Sequence, residues 1–114
     1  MIYFCTYFDK NYLSRFLTLL DSLNKFKFSF TFFVLGLDEE VQNFFNKNHI
    51  ENIEIIKLFE LEREYPKLLL AKNDRDLIEY YFTLSPFLPK YIYKKFNVSK
   101  ISYLDSDFYF LKSP

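Results

Sequence analysis

The sequence predicts an α/β protein, a three-layer sandwich in which helices cover a mainly parallel sheet. Short apolar runs of strand length alternate with amphipathic stretches of helical period, in the order β-α-β-α-β-α-α-β. Strands that alternate with helices indicate crossover connections, and these make neighbouring strands parallel. Half of the 114 residues are hydrophobic, enough for one core. We therefore treat residues 1–114 as one domain.

Strands are predicted where aromatic or β-branched runs are too short for a helix. They cover Ile2–Phe8 (IYFCTYF), residues 28–36 (FSFTFFVLG), which end at the only glycine, and residues 53–58 (IEIIKL). The stretch KISYLDSDFYFL then closes the chain as one or two strands. Its two aspartates, Asp105 and Asp107, lie in or just after the first of them.

Two helices are predicted between the first three strands. Residues 12–26 carry apolar side chains at steps of three and four, which is the pattern of an amphipathic helix. Residues 37–48 begin with acids and end near Lys47, as the helix dipole favours.

The second half of the chain is predicted to be helical with proline interruptions. Pro66 is expected to interrupt any helix in residues 59–74. Residues 75–85 form a helix whose apolar face is predicted to comprise Leu77, Ile78, Tyr81, Phe82 and Leu84. Pro86 and Pro89 are expected to break it before residues 90–96 form another short helix.

The composition argues against a nucleic-acid partner, an internal disulfide, a signal sequence and a transmembrane segment. Fifteen basic residues balance 15 acidic ones, so no nucleic-acid partner is expected. The single cysteine, Cys5, cannot form an internal disulfide, which fits a reducing compartment, and in its apolar run it is expected to be a buried, inert thiol. There is no basic leader and no apolar window of about 18 residues or more, so neither a signal sequence nor a transmembrane segment is predicted. We expect a cytoplasmic location.

The two aspartates near the end of the chain are candidates for a metal site. Residues two apart on a strand point to the same side, so Asp105 and Asp107 can converge. Uncompensated carboxylates repel each other, and a hard cation such as Mn²⁺ or Mg²⁺ removes that repulsion. Such ions typically take one or two carboxylates and complete their shell with substrate phosphates. The alternative is that the acids are simply solvated at a strand end or cap a turn.

A second segment is predicted to meet the aspartates. In open α/β sheets, ligands bind beyond the carboxyl ends of the strands. The segment TYFD, at the end of the first strand, and the segment DSD, after the last, would both lie at that edge. The sequence therefore predicts one crevice formed by two distant parts of the chain.

Three segments resemble the GT-A-fold glycosyltransferases, which use nucleotide-diphosphate sugars. The segment ISYLDSDFYFLKSP is similar to their Asp-x-Asp segment, particularly in relatives of glycogenin and the bacterial lipopolysaccharide galactosyltransferases. CTYFDKNYLSRFLTLLDSL resembles their first strand, nucleotide loop and helix, and RDLIEYYFTLSPFLPKYI the helix before the motif. The resemblance spans essentially the whole chain and implies the GT-A, Rossmann-like fold.

The resemblance implies a role for each residue of the Asp-x-Asp segment. Asp107 would bind Mn²⁺ or Mg²⁺ and, through it, the donor diphosphate. Asp105 would share the metal or contact the ribose or the sugar of the donor. Ser106 would belong to the same nucleotide-sugar-binding segment. The implied donor is a UDP-sugar, and no acceptor is implied.

The resemblance also implies contacts from the loop after the first strand. The residues that would hold the nucleobase are Thr6, Tyr7, Phe8 and Asp9, with Asp9 accepting from the uracil N–H. Tyr12 matches a tyrosine that often packs on the base; plain packing at the start of the helix is the alternative for Tyr12.

One position departs from the family pattern. Many relatives carry an arginine after the paired tyrosines of the helix before the motif, where this chain has Phe82. Arg75, about two turns earlier, is the predicted substitute that reaches the diphosphate or the sugar. A solvated charge at the start of the helix is the alternative for Arg75.

Family catalytic domains are longer than this chain, so we expect 114 residues to form only the donor-binding part, truncated after the Asp-x-Asp strand. The remainder would supply a further metal ligand and the acceptor pocket. We therefore expect no sugar transfer by this chain alone, and self-association through the exposed C-terminal strand of Phe108, Tyr109, Phe110 and Leu111. Peripheral membrane association is expected only of the longer protein.

Two other classes of protein remain as alternatives. A non-catalytic α/β module could bind a protein partner through an unfinished sheet edge. An Asp-x-Asp phosphatase-like hydrolase is the second, although in that family the motif follows the first strand and a threonine or valine usually follows two residues after the second aspartate. This chain has Tyr109 there, after the last strand.

Overall fold

A computed structural model describes residues 1–105, apart from the side chain of Ile78. This part of the chain forms four strands and six α-helices. The strands are β1 (Ile2–Phe8), β2 (Phe30–Gly36), β3 (Ile53–Lys57) and β4 (Ser102–Tyr103). The helices are α1 (Leu13–Asn24), α2 (Glu39–Lys47), α3 (Leu58–Glu64), α4 (Lys67–Asp74), α5 (Leu77–Leu84) and α6 (Phe87–Phe96), and a short 3-10 helix (Lys10–Tyr12) precedes α1.

The four described strands form one sheet in the order β3-β2-β1-β4, and every neighbouring pair is parallel. Strand β1 is central and pairs along its whole length with β2. On its other side it pairs with the two residues of β4, where Cys5 lies opposite Tyr103. The predicted α/β class with a parallel sheet is confirmed.

Alternating side chains of the sheet build a core on each face. One face of β1 and β2, with Phe4 and Phe32 among its residues, packs against α1 and α2. The other face, with Cys5 and Phe33, packs against α3 to α6. Since side chains alternate along a strand, both faces of the central strands are buried, as in a sheet covered by helices on both sides.

The first two helices begin and end close to their predicted limits. The 3-10 helix takes up the start of the stretch predicted as one helix over residues 12–26, and α1 follows it. The Asp38 carboxylate caps α2 by accepting from the backbone N–H of Val41 at 3.0 Å. Two acids in the first turn of α2 and Lys47 in its last turn are placed as the helix dipole favours.

Proline has two different effects in the second half of the chain. Pro66 separates α3 from α4, as predicted. The predicted break at Pro89 is wrong, because α6 begins at Phe87 and contains Pro89 at its third position. The first turn of a helix leaves its N–H groups without an intrahelical acceptor, so a proline there removes no hydrogen bond. None of the helices within residues 1–105 is both long and apolar enough to cross a membrane.

Cys5 is fully buried, as the sequence predicts. Burial raises the pKa of the Cys5 thiol to about 12, so the reactive thiolate is scarce at neutral pH. We expect Ellman's reagent to leave the folded protein unmodified and to react with one thiol after denaturation. Rapid labelling of the native protein would show that β1 opens far more readily than this core allows.

Candidate functional site

A cleft of about 630 Å³ opens at the carboxyl edge of the sheet, beside the ends of β1 and β4 and next to α5. Most of its lining is aromatic or aliphatic, with carboxylate and amide groups among it. The lining residues are Tyr7, Phe8, Asp9, Asn11, Tyr12, Leu37, Leu77, Tyr81, Phe82, Tyr103 and Asp105.

Pairing of β1 with β4 brings the two predicted segments to this cleft. The backbone N–H of Leu104 donates to the carbonyl of Cys5 at 3.1 Å and continues the parallel pairing past Tyr103. Asp105 follows at once, is exposed and lines the cleft together with Asp9. The predicted crevice is therefore confirmed for Asp9 and Asp105. Ser106 and Asp107 lie outside the described residues.

The loop after β1 is held by several hydrogen bonds. The Asp9 carboxylate accepts from the backbone N–H of Asn11 at 3.0 Å, and the N–H of Tyr12 donates to the carbonyl of Asp9 at 3.1 Å. The backbone N–H of Lys10 donates to Asp38 at 2.8 Å, which ties the loop to the start of α2. These hydrogen bonds fix the positions of Asp9 and Tyr12, which both line the cleft.

Three tyrosines of the cleft have raised pKa values. Burial is the main cause for Tyr7 and Tyr103, whose ring centroids are 5.9 Å apart, and the Asp105 carboxylate raises the pKa of both further. Burial, then the carboxylates of Asp9 and Asp38, raise the pKa of Tyr81. These phenols therefore stay neutral at physiological pH and can both donate and accept hydrogen bonds.

The charge of the lining is negative. Asp9 and Asp105 are its charged side chains, and neither lysine nor arginine is among the residues that line it. An anionic ligand such as a diphosphate would meet two carboxylates and no cation there. Binding such a ligand therefore requires positive charge from a metal ion or from residues at the rim.

The described residues offer carboxylate oxygen atoms at the cleft, which is the type of ligand that a hard cation binds. Asp105 offers an exposed carboxylate at the cleft, and carboxylate oxygen is the ligand that Mn²⁺ and Mg²⁺ prefer. Within residues 1–105 there is no group of three acidic, histidine or cysteine side chains that could hold a metal.

Two predicted site residues do not line the cleft. The Thr6 side chain is fully buried in the sheet beneath the cleft lining. Arg75 donates to the Thr83 hydroxyl at 2.7 Å. Arg75 is thus held by Thr83 and is not among the residues that line the cleft. The predicted ligand contacts of Thr6 and Arg75 stay predictions.

The predicted apolar face of α5 is partly wrong. Leu77 and Phe82 are 59% and 69% exposed, and both line the cleft. The residues that α5 buries in the core are Tyr80 and Leu84. Sequence reasoning missed the cleft positions of Leu77, Tyr81 and Tyr103. The i, i+4 spacing of Leu77 and Tyr81 indicates a shared helix face, but not that this face borders a cleft.

Fold and site together define an α/β protein with a parallel sheet and an acidic, aromatic cleft at the carboxyl edge.

The chain is similar to two proteins of Bacillus subtilis (strain 168). It is 28% identical over 112 residues to Uncharacterized protein YfnF, covering 97% of this chain and 36% of that protein. It is 25% identical over 113 residues to Uncharacterized protein YfnD, covering 98% of this chain and 36% of that protein. The chain thus spans little more than a third of the length of these relatives. No family model and no solved structure matches.

Proposed function

We propose that this chain is the donor-binding part of a metal-dependent GT-A glycosyltransferase that uses a UDP-sugar. The observation that carries the proposal is the meeting of Asp9 and Asp105 at one aromatic cleft, although 96 positions separate them (105 − 9). Ligands of open α/β sheets bind at this edge. The resemblance of the segments around both residues to the GT-A enzymes supports the same assignment.

Different residues of the cleft would bind different parts of such a donor. Tyr12 offers an aromatic surface to the base, and the Asp9 carboxylate accepts from its N–H. Tyr7 and Tyr103 are neutral phenols that hydrogen-bond the ribose or the sugar. Asp105, with Asp107 of the same motif, would hold Mn²⁺ or Mg²⁺ at the diphosphate. The metal, when bound, supplies positive charge that stabilises the leaving diphosphate.

Sugar transfer itself is not proposed for these 114 residues alone. The relatives are nearly three times as long as the segment they share with this chain. A donor site on one segment and an acceptor site on the rest is consistent with that difference. The chain alone is therefore expected to bind the donor without transferring its sugar.

Thermal melts with ligands test this function. UDP and Mn²⁺ together are expected to raise the melting temperature more than the sum of their separate effects, since each completes the binding shell of the other. At a ligand concentration of 100 times the dissociation constant the added stability is about 2.7 kcal/mol. Uridine with Mn²⁺ is the control, because it keeps the base and lacks the diphosphate.

Two outcomes would count against the proposal. Equal shifts by UDP with and without Mn²⁺ would show that the metal and the nucleotide do not share a site. An absence of any shift, with no UDP binding by calorimetry, would favour the alternative of a non-catalytic interaction module.

A further inference from the structure

Residues at the rim could add positive charge besides that of a metal, and three basic residues of the described chain lie near the cleft-lining segments in sequence. Lys10 lies in the loop after β1, Arg15 in the first turn of α1, and Arg75 just before α5. The Lys10 ammonium group pairs with Glu40 at 3.2 Å. Arg75 donates to Thr83 and does not line the cleft. These contacts leave Arg15 as the remaining candidate.

Arg15 contacts the cleft through an aromatic ring. Its guanidinium carbon lies 5.0 Å from the centroid of the Tyr12 ring, within the range of a cation–π interaction. Tyr12 lines the cleft, whereas Arg15 does not, so Arg15 can act on the cleft only indirectly, through the Tyr12 ring or through its charge. Arg15 is exposed and, within residues 1–105, forms no ion pair. Its charge is therefore not neutralised by a neighbouring carboxylate of the described chain.

We propose that Arg15 is a positioning residue that makes the cleft selective for phosphate-bearing nucleotides. The inference rests on the proposed function and deepens it. Arg15 has two effects. It restrains the half-exposed Tyr12 ring before the base arrives, which lowers the entropy cost of binding. Its charge also offsets part of the negative potential of Asp9 and Asp105 and thereby favours an anionic ligand over an uncharged one.

The two effects can be separated by substitution. Arg15→Met keeps an unbranched apolar stem and removes both the charge and the planar group. Arg15→Lys keeps the charge but weakens the stacking on Tyr12. Arg63→Met is the matched control, because the Arg63 guanidinium lies 5.7 Å from the Phe59 ring and neither residue lines the cleft.

Calorimetry of UDP binding in the presence of Mn²⁺, at low and high salt, measures the effect. An exposed cation–π pair corresponds to a factor of about two to five in affinity. We expect Arg15→Met to weaken UDP binding by about five-fold and Arg15→Lys by about two-fold at low salt. Arg63→Met should bind like the wild type. The affinity of Arg15→Met should also depend less on salt, which a purely structural role would not produce.

Uridine distinguishes the positioning role from a general loss of fold. The loss of affinity for uridine in Arg15→Met should be smaller than the loss for UDP, since uridine has no phosphate for the charge to attract. Equal affinities of the wild type and Arg15→Met for UDP would overturn this inference and leave the proposed function standing. A loss of UDP affinity in Arg75→Met without a loss in Arg15→Met would have the same consequence. If the wild type binds no UDP with Mn²⁺, the proposed function fails and this inference with it.

Discussion

Replacing Phe16 by alanine is expected to remove a large part of the stability of the domain. Phe16 is fully buried between α1 and the sheet. Its ring centroid lies 4.8 Å from that of Phe8, 5.1 Å from that of Phe32 and 6.2 Å from that of Phe45. It therefore joins β1, β2 and α2 to α1. A Phe→Ala substitution in a core costs about 3–5 kcal/mol, and a typical domain has about 5–15 kcal/mol of stability.

Urea unfolding followed by circular dichroism measures this loss. Phe59→Ala is the matched control, because it removes the same atoms from a side chain that is 54% exposed. The control should change the free energy of unfolding by about 1 kcal/mol or less. Equal losses in the two variants would mean that α1 does not pack on the sheet as described.

The strands and the first two helices could be predicted because their patterns are local. The run IYFCTYF forms β1 with the predicted limits. Asp38 and the acids after it mark the start of α2, and Asp76 caps α5 by accepting from the N–H of Glu79 at 2.9 Å. Such caps depend on side chains within three residues of each other, so the sequence displays them directly.

The rotation of α5 could not be predicted in the same way. Tyr80 faces the core because its hydroxyl donates to the Glu62 carboxylate at 2.6 Å, and Glu62 also pairs with Lys72 at 3.2 Å. This polar network joins three helices across 18 residues of sequence. Apolar periodicity counts Glu62 as a surface residue and gives no reason to place Tyr80 in the core. The predicted face is therefore right for Leu84 but wrong for Leu77 and Phe82, which are exposed at the cleft.

The acidic residues of the site could be predicted, and most of its aromatic lining could not. Asp9 follows a strand end directly, and Asp105 follows the short β4, so the rule for parallel sheets places both at one edge. The presence of Tyr103 in the lining depends on the pairing of β4 with β1, which puts its ring beside Tyr7. The predicted contacts of Asp107 and the predicted association through Phe108–Leu111 fall outside the described residues.

Replacing Asp105 by asparagine is expected to abolish most of the stabilisation by UDP with Mn²⁺. Asparagine has nearly the same shape but lacks the charge that holds a hard cation. A hundredfold loss of affinity would reduce a ligand stabilisation of about 2.7 kcal/mol to about 0.4 kcal/mol at the same concentration. Because Asp105 is exposed, the ligand-free variant should melt like the wild type. The same loss is expected for Asp107→Asn, since one cation is proposed to bind both carboxylates.

A second measurement on Asp105→Asn does not depend on any ligand. The Asp105 carboxylate raises the pKa of Tyr7 and of Tyr103, so its removal should lower both pKa values in an ultraviolet titration. Asp21→Asn, at an exposed position of α1 outside the cleft, is the control and should change neither the titration nor the binding. Lowered tyrosine pKa values with unchanged UDP binding would place Asp105 at the cleft and exclude it from the metal site. Unfolding of Asp105→Asn would instead make the carboxylate a structural group, because an exposed asparagine of equal size removes no packing.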